Sequence, residues 1–288
     1  MSILEKPLSS AQAYVDFLAG QELPVLRQTA RQLNAMRENQ DAVNARHLAG
    51  VVLGDPLFAI RLVIWLERHR NRSRNHDITT LDRAIMMMGI GPFFEAFAEL
   101  PTVEERLADR PKALIESLHV FGWVRRAAHL ARDWAILRHD IDVDEVALAT
   151  LLRPACEVLL WVFAPPLAEQ ILEYRKAHPG TRSVVAEHAV LGCSERDIQL
   201  GLAHAWHLPA LLVTLMDEAN GSNPRVRNVA LAIDFARHQA EHGWHSPALP
   251  EIFTDLLHLL PVGRERMLER LEVPADVIER WDAAADAD

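Results

Sequence analysis

Apolar side chains recur at intervals of three and four residues along almost the whole chain, the spacing that gathers them on one face of an α-helix. Leu26, Ala30, Leu33 and Met36 form one such stripe, with Arg27, Gln28, Arg31 and Gln32 on the wet side. Runs that alternate apolar and polar residues, as a half-buried strand needs, are few. Ala, Leu, Glu and Arg are abundant, while there are only twelve glycines and two tyrosines. The expected fold class is all-α.

Start and stop signals divide the pattern into segments. Asp55-Pro56 supplies an N-cap followed by a first-turn proline, ahead of Leu57, Ile60, Ile64 and Trp65. Thr79 and Asp82 form a Thr-x-x-acid start before Ala84, Ile85 and Met88, with Gly89 as the stop. Ser194 and Asp197 repeat that device before Ile198, Leu202 and Trp206, and Leu208-Pro209 closes the helix. The proline-containing stretch from Gly89 to Pro111 reads as a hinge or crossover between two helical sets. Asn220 to Asn228 reads as a turn before a helix from Val229 to Glu241. Beyond Pro247, two short amphipathic helices are expected around Pro261 and Pro274, with a fraying AAADAD end.

Charge and length narrow the function classes. With 288 residues the chain can bury a sizeable core as one large domain or two small ones. A net charge of -10 repels a polyphosphate backbone unless basic residues gather on one face, so bulk nucleic-acid binding is disfavoured. Cys156 and Cys193 form no CxxC pair and support neither a disulfide framework nor a thiolate zinc site. They sit among apolar neighbours and read as inert thiols. No secretory signal is evident in MSILEKPLSS, and the charge-free apolar run Val158 to Ala168 is too short and proline-broken to span a bilayer. A reduced, cytoplasmic protein with no membrane role is expected.

The order of three early segments, ELPVLRQTARQL, HLAGVVLGDPLFAIRLVIW and ITTLDRAIMMMGI, resembles the opening of the HDOD domain, an HD-related output domain of bacterial signalling proteins. The later VLGCSERDIQLGLAHAWHLPALLVTLM resembles that family's paired helices, with the intervals from Leu191-Gly192 to Trp206 and Leu208-Pro209 preserved. The similarity runs from about Leu23 to Trp244. It implies an N-terminal bundle, about 23–100, packed on a degenerate HD-like helical core, about 101–244. A helical segment at 1–22 and a C-terminal helical extension at 245–288 flank them.

Parent HD phosphohydrolases converge imidazoles and carboxylates on divalent metals, which polarise the phosphoryl oxygen and acidify the attacking water. The resemblance places the His-Asp pair at Arg153-Pro154, the first histidine near Trp123 and a further histidine at Glu195. A guanidinium brings positive charge where a dication would sit, indole is donor-only, and proline ends or kinks the helix. Asp234 matches the aspartate of the family's late helix but cannot hold a metal unaided. The literal His139-Asp140 lies in a polar connector and reads as a solvated turn. No metal, cofactor or catalytic residue is therefore expected.

Other residues are candidate sites. His204 and His207 stand at i, i+3 and His238 and His242 at i, i+4, but HQAEH puts its Glu in the wrong register for HExxH. His119 and His129 are expected to be partly buried and hydrogen-bonded. Arg68, Arg70, Arg72 and Arg74 alternate in one connector and are the candidate contact for an anion or a partner, against a plain solvated loop. Met86, Met87 and Met88 with Phe93, Phe94 and Phe97 read as core packing at the junction of the two sets. GxSxG, GxxxxGK[ST] and GxGxxG are absent.

The resulting expectation is a non-catalytic regulatory module, a pseudoenzyme of bacterial signal transduction that binds a protein partner or a small signal. A rival enzyme reading needs Glu195, Asp234 and a histidine such as His119 or His129 to assemble a rearranged metal phosphohydrolase site. A third reading, a nucleic-acid regulator using Arg68 to Arg74, ranks last on charge.

Overall fold

The computed structural model describes residues 3–69 and 80–285, and within them the chain is all-helical apart from one isolated parallel bridge between Val25 and Thr102. An N-terminal helix α1 (Ala11–Ala19), capped by Ser10, precedes a bundle of α2 (Arg27–Glu38), α3 (Ala45–Leu53), α4 (Pro56–Arg68), α5 (Leu81–Met88) and α6 (Ile90–Ala96). Asp55 dictates how α4 enters. Its Oδ1 accepts from Leu57 N and Phe58 N, both at 3.1 Å, and its Oδ2 from Leu26 N at 2.7 Å. One fully buried carboxylate thus caps α4 and ties down the entry to α2.

Sealed inside the bundle, Phe58 meets Phe93 and Phe97 edge-on, with centroids 6.1 and 5.2 Å away. Met86 and Met87 do not join this cluster: they are 68% and 56% exposed, because the helix stripe facing inward is Leu81, Ala84 and Ile85. The stretch from Gly89 to Pro111 is not a bare hinge either. It holds α6 and α7 (Val103–Arg106), and Thr102 closes a capping box with Glu105 while Val25 bonds across to Pro101 and Val103.

The second set is built on α8 (Pro111–Leu137), against which α9 (Val143–Leu152) and α15 (Pro224–His242) pack. The α9 helix breaks at Arg153-Pro154 and resumes as α10 (Ala155–Phe163). Together, Val143–Phe163 is long and apolar enough to cross a membrane, but 89% of its most apolar window is buried inside the protein, where it forms the core. Around it lie α11 (Pro165–Ala177), α12 (Ser183–Leu191), α13 (Glu195–Ala205) and α14 (Ala210–Met216). Ser194 caps α13 through Asp197 N, the device expected there. By contrast, α15 starts five residues before Val229, because Asn223 accepts from Arg225 N at 2.9 Å and Pro224 fills the first turn.

Three helices follow rather than two: α16 (Leu249–Leu259), α17 (Arg264–Arg270) and α18 (Ala275–Ala285). Trp281 of α18 packs against Phe253 and Trp244, which carries the extension onto the end of α15.

Candidate functional site

A cavity of about 670 Å³ opens between α8, α10, α11, α12, α13 and the C-terminal half of α15. Its apolar wall comes from Val120, Leu160, Trp161, Ile171 and Leu172, with Trp123 buried behind them at 3% exposure. Its polar wall is ionic. Arg237 Nη2 donates to Glu157 Oε2 at 2.6 Å, and the guanidinium carbon stands 4.6 Å from the Trp123 ring centroid. Arg175 grips Glu241 with both terminal nitrogens, at 3.2 and 2.8 Å.

The field in this cavity shifts its groups in opposite directions. Burial alone would favour loss of the Arg237 charge, but Glu157, Glu195, Glu241 and Asp234 outweigh it and hold the guanidinium above its usual range. Glu241 meets the same burial penalty, and its bonds with Arg175 pull it below the ordinary carboxylate range. Glu195 is pushed well above that range, first by withdrawal from bulk water, then by Glu157 and Glu187. Among the described residues its carboxyl accepts no hydrogen bond. Glu187, 8% exposed, spends one oxygen on the Glu195 backbone N–H at 2.8 Å. Burial also lowers His238, whose ring Nδ1 lies 3.2 Å from Ser246 Oγ.

The structure separates the positions named from sequence. Trp123 and Glu195 line the cavity. Arg153 turns away from it and pairs with Glu218, near Asp234, Asp217 and Arg196. Desolvation lowers the Arg153 pKa to about 10, and its Nη1 is buried without a partner. Pro154 is buried at the helix break, and Asp234 is exposed. Gln199 of α13 repairs that break, donating from Nε2 to Leu152 O at 3.1 Å and accepting the Cys156 N–H at 2.9 Å.

Tested as a metal site, this donor set does not fit. Indole, guanidinium and proline offer no ligand, and Glu195 lines the cavity whereas Asp234 is not part of its lining and stands near Arg153. Among the described residues, no three His, Cys, Asp or Glu side chains are grouped so as to hold an ion. His119 and His129 are exposed rather than partly buried, although His119 Nε2 lies 3.3 Å from Ala240 O. His204, His207 and His242 are exposed as well. His139-Asp140 forms a turn with His139 at φ 57° and Asp140 paired to Arg138. Cys156 and Cys193 are buried, and burial raises both thiols.

Arg68 is the exposed last residue of α4, while Arg70, Arg72 and Arg74 lie outside the described residues. The residues that sequence reasoning missed are Glu157, Arg175, Glu187, Gln199, Arg237 and Glu241. Arg237 sits one turn beyond Asp234 on the same helix, a register that would have pointed to it; the others carry no local signal.

The HDOD domain profile matches residues 23–221. Several solved structures share the fold, these two among them. The MmoQ response regulator from Methylococcus capsulatus str. Bath is 16% identical with a TM-score of 0.60, over 87% of this chain and 98% of that one. A virulence factor from Campylobacter jejuni subsp. jejuni is 16% identical with a TM-score of 0.58, over 93% and 94%. Comparison with curated proteins gives no match. With more than half its length matched by the domain profile, the chain belongs to the HDOD domain family.

Proposed function

We propose that the chain is a non-catalytic regulatory module of bacterial signal transduction, acting in the cytoplasm through contact with a partner protein or a small signal. The observation that carries this reading is that the positions where the resemblance places metal ligands hold groups committed elsewhere. Trp123 lies under the Arg237 guanidinium, and Arg153 is paired with Glu218. Neither arrangement can polarise a phosphoryl oxygen or activate a water. Membership of the HDOD family supports the signalling role, as does a fold shared with a protein named as a response regulator. Fold alone does not assign a job, so the reading is chemical first.

The test is elemental analysis of the purified protein after incubation with Mn²⁺, together with hydrolysis assays on nucleotides and an activated phosphodiester. The expected result is substoichiometric metal and no turnover above buffer. Stoichiometric metal with hydrolysis lost in Asp234→Ala would establish a divergent phosphohydrolase instead.

A further inference from the structure

The cavity described above has an unbalanced charge, and the imbalance specifies a ligand. Two of its carboxylates are answered within the protein: Glu157 by Arg237 and Glu241 by Arg175. Glu187 and Glu195 also line the cavity, and among the described residues neither has an ion-pair partner. Glu187 is 8% exposed, and a carboxyl so far withdrawn from water gains from a cation placed beside it. Glu157 and Glu187 repel the Glu195 charge more strongly than Arg237 and Arg175 attract it, so the potential at this end of the cavity is negative. The opposite wall is Leu160, Trp161 and Ile171, which suits an apolar body. The volume falls within the range of small-molecule sites, about 300–1,000 Å³.

We propose that this cavity binds an organic cation, a primary ammonium or guanidinium carried on an apolar body, with its charge at Glu195 and Glu187 and its body against Trp161. An anion is disfavoured on the same wall, because each guanidinium there is already neutralised by a carboxylate, Arg175 through both terminal nitrogens on Glu241 and Arg237 through Nη2 on Glu157. The proposal rests on the regulatory reading, for which it names the class of small signal.

Three probes sharing one body isolate the charge: phenethylamine, 3-phenylpropionate and 3-phenylpropanol. Titration calorimetry on the full chain is expected to give saturable binding of phenethylamine with a dissociation constant of about 1 mM or below, as a ligand of this size allows. The alcohol should bind more weakly and the carboxylate not measurably. Glu195→Gln should weaken the amine roughly tenfold to a hundredfold, the effect of removing a charge-assisted bond, without weakening the alcohol. The proposal is overturned if the amine fails to saturate, if the carboxylate binds as well as the amine, or if Glu195→Gln leaves the amine's affinity unchanged. The probe series uses the wild-type chain, so it decides the question even if the variant does not fold. Failure here with no Mn²⁺-dependent hydrolysis removes the ligand assignment and leaves the regulatory reading standing. Hydrolysis in the metal assay removes that reading whatever the probes do.

Discussion

Replacing Gln199 tests how the break between α9 and α10 is held. Gln199 is 7% exposed, and its single amide satisfies two buried backbone groups, Leu152 O and Cys156 N–H. Gln199→Leu keeps the volume and removes both partners. Each of the two orphaned groups costs about 1–3 kcal/mol, and the apolar side chain returns about 1 kcal/mol by burial, so a net loss of about 1–5 kcal/mol, centred near 3, is expected. For a chain of this size that is a fall of roughly 5–10 °C in melting temperature, read by circular dichroism or as a lower urea midpoint. Gln199→Glu sharpens the test. Only the protonated acid can donate to Leu152 O, so its folded-state pKa is raised, and the variant should be most stable at acid pH and lose stability as pH rises through that pKa. A Gln199→Leu protein within about 0.5 kcal/mol of wild type would refute the reasoning, because the break would then be held by Pro154 and packing alone.

Asp55→Ala should cost about 3–5 kcal/mol, since it removes a helix cap and orphans the buried Leu26 N–H, whereas Asp55→Asn, which keeps one acceptor, should cost about 2 kcal/mol. Equal unfolding midpoints for the two variants would contradict the shared-cap geometry. Glu195 has its folded pKa raised above the ordinary carboxylate value, so its contribution is harmless below that value and turns destabilising as pH rises through the folded pKa. Melting curves should therefore show Glu195→Gln gaining on wild type with rising pH over that window; parallel profiles would count against it. Gly201→Ala places a Cβ 2.5 Å from Val15 Cγ2 and should cost about 1–3 kcal/mol, with Val15→Ala in the same chain restoring most of the loss.

What the sequence disclosed was decided by distance along the chain. The Asp55-Pro56 and Ser194-Asp197 starts were legible because a cap and the N–H it accepts lie within three residues. Asn223-Pro224 carries the same local signal, masked by a run rich in turn residues. Met86 and Met87 show that an apolar side chain at helical spacing need not be inside, since the inward stripe was already filled. That Arg153 and Trp123 offer no metal ligand is legible residue by residue, because guanidinium and indole cannot ligate in any setting. The cavity was not, because Glu157 meets Arg237 across 80 positions and Arg175 meets Glu241 across 66. Side-chain chemistry reads locally; convergence is a property of the fold.

The close approach of α1 to α13 has a consequence for where this protein can be cut. The family match begins at residue 23, yet Tyr14, Val15 and Leu18 are buried upstream of it, Val15 lies against Gly201, and Leu4 N bonds to Phe163 O at 2.8 Å. A polypeptide trimmed to the matched span would bare an oily slot along α13 one valine wide, on the helix that also carries Gln199 and Glu195. Residues 3–22 are therefore a wedge of the core, and trimming them would unsettle the cavity wall before any ligand was offered to it.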